Sequence, residues 1–167
     1  MAVVAMTFRL RPYEPGDEEQ VVALSLRAWA PIFASVAGIL GAQLDILLHG
    51  EDWSVFQARS VRATLDDPAS TAWVAESEDG VVGFAVAGVA DPERRIGQIS
   101  MLAVDPGSQG RGVGSTLTEH ATEWLRGLGM EVAVIGTGGD EGHAPARRLY
   151  EKAGYTAMPI VQYFKAL

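Results

Sequence analysis

Apolar positions change their spacing as the chain is read, and each change marks a new element. Residues 7–11, Thr-Phe-Arg-Leu-Arg, alternate polar and apolar side chains, the period of a half-buried strand, and Pro12 and Pro15 end it. Asp17 then stands as a helix N-cap, with Glu18 and Glu19 in a first turn where the helix dipole favours anions. Val21, Val22, Leu24, Leu26 and Trp29 recur at helical spacing. Pro31, which has no amide hydrogen to donate, predicts the end of that helix. Helical periodicity resumes over residues 42–48 and again over 53–65.

From there the period becomes that of strands. Residues 71–76 and 81–89 read as a hairpin closed by Ser77-Glu78-Asp79-Gly80. A polar turn, Asp91-Pro92-Glu93-Arg94-Arg95, leads into a third strand, Ile96–Val104, which Asp105-Pro106-Gly107 ends. A helix is expected over 112–128, stopped by Gly127 and Gly129, then a short buried strand over 131–136. The glycine-rich stretch 136–142 leads to a helix over 144–153 closed by Gly154, and 161–165 reads as a last strand. Antiparallel hairpins first and a parallel crossover later make a mixed α/β domain. No repeat or low-complexity run divides it, so one domain is expected over 1–167.

Composition narrows the chemistry. The 167 residues are 48% hydrophobic and 20% charged, enough apolar content for a packed core rather than a disordered chain. Without cysteine there is no disulfide scaffold and no Cys-ligated zinc or iron–sulfur site. A net charge of -8, with Lys152 and Lys165 the only lysines, argues against a nucleic-acid surface. His49, His120 and His143 set no metal-ligand spacing, so no metal is expected. Residues 28–44 carry no formal charge. They fall short of the roughly 20 needed to span a bilayer and contain Pro31, Gly38 and Gly41, so they read as a buried, substrate-lining or dimer-forming segment. With no signal peptide visible, a soluble cytoplasmic chain is expected.

The sharpest local feature is Gln109-Gly110-Arg111-Gly112-Val113-Gly114-Ser115, between the third strand and the helix that follows. Glycines let main chain approach a ligand, and a helix N-terminus offers unpaired amides at its positive end, an anion site suited to a pyrophosphate. Arg111 adds a cation. A Walker A loop would need Lys where Val113 stands, and a dinucleotide fingerprint would need Gly where Ser115 stands. What the stretch resembles is the pyrophosphate loop of the GNAT N-acetyltransferases, Gln/Arg-x-x-Gly-x-Gly/Ala, with Gln109, Gly112 and Gly114 at its fixed positions. Upstream, Ile99-Ser100-Met101-Leu102-Ala103-Val104-Asp105-Pro106 is similar to that family's central strand and exit turn. Downstream, residues 143–155 resemble its second helix, Asn-x-x-Ala-x-x-x-Tyr followed by Gly-Tyr, through Ala146, Tyr150, Gly154 and Tyr155.

The resemblance implies a central, mostly antiparallel sheet with a parallel, splayed strand pair, flanked by helices. Acetyl-CoA would lie in the V-shaped gap between Ile96–Val104 and residues 131–136. Its pantetheine arm would pair with main chain at Leu102 and Val104, and its pyrophosphate would sit on the amides of Gln109, Gly110, Arg111, Gly112, Val113, Gly114 and Ser115. A primary amine would attack the thioester directly, in a ternary complex. An amide near Leu102 or Ala103 would face the oxyanion, and Tyr150 would protonate the departing thiolate. His143 stands where the family has an asparagine that contacts CoA. Gln98 stands about where relatives carry a glutamate base, which leaves a water chain, or another carboxylate such as Glu76, to take the amine's proton. Trp29, Ile32, Phe33 and Tyr163 are expected in the acceptor wall. The acceptor would be a small amine, or a protein N-terminus or lysine. Gln98 also motivates a different class, a non-catalytic acyl-CoA sensor on the same fold.

Overall fold

Seven consecutive positions, Val81 to Ala87, are buried in the longest strand, and the rest of the molecule is arranged to cover both of its faces. In the computed structural model, which describes residues 7–167, a five-stranded sheet runs in the order β1 (Arg9–Pro12), β2 (Ser70–Ser77), β3 (Gly80–Asp91), β4 (Ile96–Val104), β5 (Val132–Ile135). The first three pairings are antiparallel, and β4 with β5 is parallel. A mostly antiparallel sheet with one parallel pair is what the pattern and the resemblance lead one to expect.

Helices cover each face. On one side Val21, Val22 and Leu24 of α1 (Glu18–Leu40), with Val61 of α3 (Trp53–Leu65), pack on Val74, Phe84 and Val86. On the other, Leu117, Ala121 and Leu125 of α4 (Val113–Gly127) meet Trp73, Ala75, Ala85, Ala87 and Ile99. Neighbouring residues of β2 and β3 thus go to opposite layers, as a strand's alternation requires. Each large side chain buried here stabilises the fold by roughly 1.5–3 kcal/mol. The short α2 (Ala42–His49) follows α1, and α5 (Ala144–Lys152) follows β5.

Three expectations fail. Pro31 does not stop the first helix, which continues for nine residues to Leu40. A proline inside a helix costs about 3 kcal/mol. Phe33 offsets it by burying against Trp53, ring centroids 4.7 Å apart, and Ser35 by bonding across the fold to Asp140. The resulting α1 is long and apolar enough to cross a membrane by length and composition; in this fold Val21, Val22 and Leu24 of its first half pack on the sheet. Asp17 makes no side-chain cap; its carboxylate accepts from Arg11 and from the Glu14 amide instead. Finally, residues 161–165 form no strand. Strand propensity needs a partner edge, and the chain before it, residues 156–160, walls a cavity beside β5 rather than pairing with it. Met158, Ile160, Val161 and Tyr163 are left exposed.

Candidate active site

The site begins where the sheet opens. β4 and β5 pair from Ile96 opposite Val132 to Ile99 opposite Ile135, and there the ladder stops, although β4 continues to Val104. At the same level β4 is irregular on its other side: Val86 faces Met101 and Ala87 faces Ile99, so Ser100 is the extra residue of a bulge. A bulge bends and twists its strand. Past Ile99, β4 therefore presents an edge that β5 does not cover. Ala103 is buried against the α1 layer, and Val104 packs toward α4. What the residues beyond the bulge offer a ligand along that edge is main chain.

At the end of that edge the chain turns through a short 3-10 segment, Pro106–Ser108, into the loop before α4. Gln109 donates its side-chain amide to the Val104 carbonyl at 3.3 Å, tying loop to strand. Gly110 and Gly112 have φ of 73° and 87°, the left-handed region that side chains other than glycine adopt only with strain. The first helical bond is from the Thr116 amide to the Gly112 carbonyl. Among the described residues, the amides from Gly110 to Ser115 donate to no backbone or side-chain acceptor. The Val113 side chain is buried in the core, which fixes the helix start against the sheet. Arg111 is exposed and has no ion-pair partner among the described residues. Successive free amides beside a cation form an anion cradle by their chemistry.

At the bulge lies a cavity of about 280 Å³. Ile99, Ser100, Met101 and Leu102 of β4 form one wall, Trp29 and Ile32 of α1 another, and His143, Ala146 and Tyr150 a third. These last three sit at i, i+3 and i+7, one face of α5 and the turn before it. A larger cavity of about 630 Å³ lies along the outer side of β5 and shares Ile135, Gly136, Thr137 and Tyr150 with the first; none of the loop residues 109–115 lines either cavity. Tyr150 is 9% exposed. Burial, with Tyr155 nearby as the lesser cause, pushes its phenol up to about 12, so it is protonated at neutral pH and able to donate. Its hydroxyl has no partner among the described residues.

Two functional candidates went unnoticed in the sequence. Gln57 of α3 reaches the same cavity at 4% exposure, and its Nε2 is buried without a partner among the described residues. An unpaired buried donor costs about 1–3 kcal/mol, so its retention in a residue that lines the cavity makes Gln57 a candidate ligand contact. Asp140 is the second. Its Oδ1 meets His143 Nδ1 at 2.5 Å, and its Oδ2 accepts from Ser35 Oγ at 2.7 Å and from the Gly142 amide at 3.0 Å. Burial works against its ionisation, but the bonds from Ser35 and His143 outweigh that and hold its carboxyl below the usual range. Nothing in the local sequence around Gln57 or Ser35 signals either role.

Other expected residues fall elsewhere. Trp29 and Ile32 line the cavity, but Phe33 does not; it stacks on Trp53 and meets His49 edge-on. Tyr163 is 93% exposed and lines neither cavity. Gln98 is exposed on β4, outside the cavity. Glu76 does not serve as a substitute base: Arg11 and Arg9 both bond its carboxylate and hold its carboxyl down to about 2. No aspartate or glutamate lines the cavity.

Residues 41–155 match the acetyltransferase (GNAT) family. Among curated relatives, a mycothiol acetyltransferase of Beutenbergia cavernae is 30% identical over 152 residues, 91% of this chain and 46% of that protein. One from Saccharomonospora viridis is 32% identical, covering 93% of this chain and 48% of its own length. The chain thus spans just under half of the curated relatives it matches. The crystal structure of a PaiA N-acetyltransferase from Thermoplasma acidophilum in complex with coenzyme A shares the fold. Its TM-score is 0.63 at 14% identity, over 88% of each chain.

Proposed function

The chain belongs to the acetyltransferase (GNAT) family, and from that premise we propose that it moves an acetyl group from acetyl-CoA to a primary amine of a small molecule, by direct attack in a ternary complex within a single domain. One observation carries the reading. A row of amides with no acceptor among the described residues, Gly110 to Ser115, leads along an uncovered strand edge to a cavity that holds a buried, protonated phenol.

Acetyl-CoA, the acyl donor of the family, supplies an activated acyl carbon and a sulfur leaving group. The loop amides and Arg111 would hold its pyrophosphate, and the main chain of Leu102 and Val104 its pantetheine arm. An amide at Leu102 or Ala103 would stabilise charge on the acyl oxygen. Tyr150 would donate its proton to the sulfur, a contribution of about 10²–10⁴-fold. Trp29 and Ile32 exclude water on the acceptor side, and Gln57 offers its Nε2 hydrogens to an acceptor oxygen. The size of the cavity favours a small molecule over a protein N-terminus or lysine. The compartment this reading requires is the cytoplasm, where acetyl-CoA is available. Dimer formation through residues 28–44 would use the exposed Ile39 near the end of α1, together with Ile46 and Leu47 of α2, and sedimentation of the purified chain decides it.

Calorimetric binding of CoA, followed by thiol release across a panel of amines, tests the proposal; the panel includes the acceptor of the mycothiol acetyltransferases. A folded chain that neither binds CoA nor releases thiol overturns it. The absence of any carboxylate on the cavity wall favours a second reading, an acyl-CoA sensor without turnover. Tight binding with no thiol release at any pH would select the sensor.

A further inference from the structure

An amine that attacks a thioester must lose a proton, and the two groups first in line cannot take it: Gln98 is no base, and Glu76 is held by two arginines outside the cavity. We infer that His143 takes the acceptor's proton through Nε2, positioned for the task by Asp140 and Ser35. The inference rests on the acetyltransferase reading above.

The arrangement is directional. Ser35, from the middle of α1, donates its hydroxyl hydrogen to Asp140, so it orients the carboxylate and is not itself a nucleophile. Asp140, with its side chain 9% exposed, faces His143 Nδ1 with its other oxygen. An ionised carboxylate can only accept, so the neutral imidazole carries its proton on Nδ1 and keeps the lone pair on Nε2. That nitrogen has no partner among the described residues, and the residue lines the cavity. Local shape enforces the pair. A Cβ on Gly138 would lie 2.4 Å from both Asp140 Oδ1 and His143 Nδ1, so only glycine lets ring and carboxylate meet there. Arg147, the nearest cation, does not compete for the carboxylate, because it donates to the Gly138 and Asp140 carbonyls at 2.7 and 2.6 Å. A turn cap alone needs only the Gly142 amide on Asp140; it needs neither Ser35, from another layer of the fold, nor an imidazole.

His143 and Tyr150 lie two helical turns apart on one face, roughly 10 Å along the axis, at opposite ends of the same wall. The other charged groups of this turn and of α5, Glu141, Arg148, Glu151 and Lys152, are exposed, and no charged side chain of α1, α3, β4 or β5 lines the cavity. The amine lone pair forms the new nitrogen–carbon bond, and the nitrogen gives its proton to His143 Nε2. The carbon–sulfur bond breaks with its electron pair on sulfur, which takes the Tyr150 proton. Imidazolium and phenolate then re-equilibrate through solvent. One proton has moved from nitrogen to sulfur, and nothing else is consumed.

Two measurements test this. Nitrogen-15 NMR of the histidine rings is expected to show the neutral form of His143 with Nε2 unprotonated and Nδ1 protonated, a preference that Asp140→Asn weakens. An Nε2–H tautomer in the wild type overturns the inference whatever the activity. In kinetics, His143→Ala should lower kcat about 10²–10⁴-fold, with CoA affinity within about threefold. Added imidazole should restore part of kcat in His143→Ala but none in Tyr150→Phe. Ser35→Ala should lower kcat less than Asp140→Asn and change the pH profile in the same direction. Unchanged kcat in a folded His143→Ala, or weakened CoA binding with kcat intact, overturns the base role alone. A wild type without CoA binding or turnover overturns the acetyltransferase reading beneath it.

Discussion

Two glycine-rich turns follow the two parallel strands at the open end of the sheet and feed α4 and α5, and they are built to opposite ends. The turn before α4 leaves its main chain open: amides 110–115 point to no acceptor among the described residues, the side chains that matter are absent or exposed, and Val113 anchors it from behind. The turn before α5 is already full. Asp140 occupies the Gly142 amide, Arg147 occupies two carbonyls, and Ser35 reaches in from α1. Similar glycine richness therefore gives a backbone cradle in one place and a packed side-chain network in the other. The first can bind by shape and dipole; the second can hold a proton-transfer group still.

If that division is right, changes around the second turn should alter kcat and changes in the first should alter affinity. The largest expected effect is at Tyr150, on the helix the second turn starts. Tyr150→Phe should lower kcat about 10²–10⁴-fold and leave the calorimetric affinity for CoA near wild type. Because burial keeps the phenol protonated up to about pH 12, the loss should be uniform across pH 6–9. Next comes Gly112→Asp, which combines a φ of 87° with a carboxylate in the anion cradle. Strain of about 1–2 kcal/mol plus charge repulsion should weaken CoA binding about 100-fold. The matched change in the other turn, Gly139→Asp, has open space around its Cβ and should leave CoA affinity within about threefold. A comparable loss at Gly139 would erase the distinction.

The same contrast explains what could be read from the chain beforehand. The cradle is legible because its parts are contiguous: Gln109, Gly112 and Gly114 act through the main chain they shape, and seven residues hold the whole device. Tyr150 and the β4 edge are legible for the same reason, each within one short motif. Ser35 and Asp140 are 105 residues apart, and Gln57 reaches the cavity from a helix whose sequence shows only an amphipathic pattern. Such sites exist only once α1 and α3 are laid across the sheet. Pro31 and the 161–165 stretch were misleading in a related way, because local propensity was overruled by packing at Phe33 in one case and lacked a paired edge in the other.

Gln57 offers a smaller effect that sharpens the side-chain half of the comparison. Gln57→Leu removes an unpaired buried donor while keeping most of its volume, which should be neutral or stabilising by about 1 kcal/mol in the free protein. If Nε2 serves the acceptor, KM for the amine should rise up to about tenfold with kcat and CoA affinity unchanged. A more stable variant with an unchanged KM would mean that the orphaned amide has no substrate partner.

The smallest effect separates carboxylates that hold the fold from the one that holds the site. Bonds from Arg11, then Arg9, hold Glu76 to about 2, below the ordinary carboxylate range. A carboxyl with a depressed folded value contributes stability above its unfolded value and loses it as pH falls toward the folded one. Glu76→Gln should therefore lower the melting temperature at pH 7 by at most about 2–4 °C, and the two melting curves should converge as pH approaches 2. Its kcat and pH–rate profile should match wild type, because its carboxylate bonds Arg9 and Arg11 and does not line the cavity. Asp140→Asn carries the opposite signature, a changed pH–rate profile. If instead Glu76→Gln changed the profile, proton removal would belong to the sheet's β1–β2 end, and the packed turn before α5 would be structural support alone.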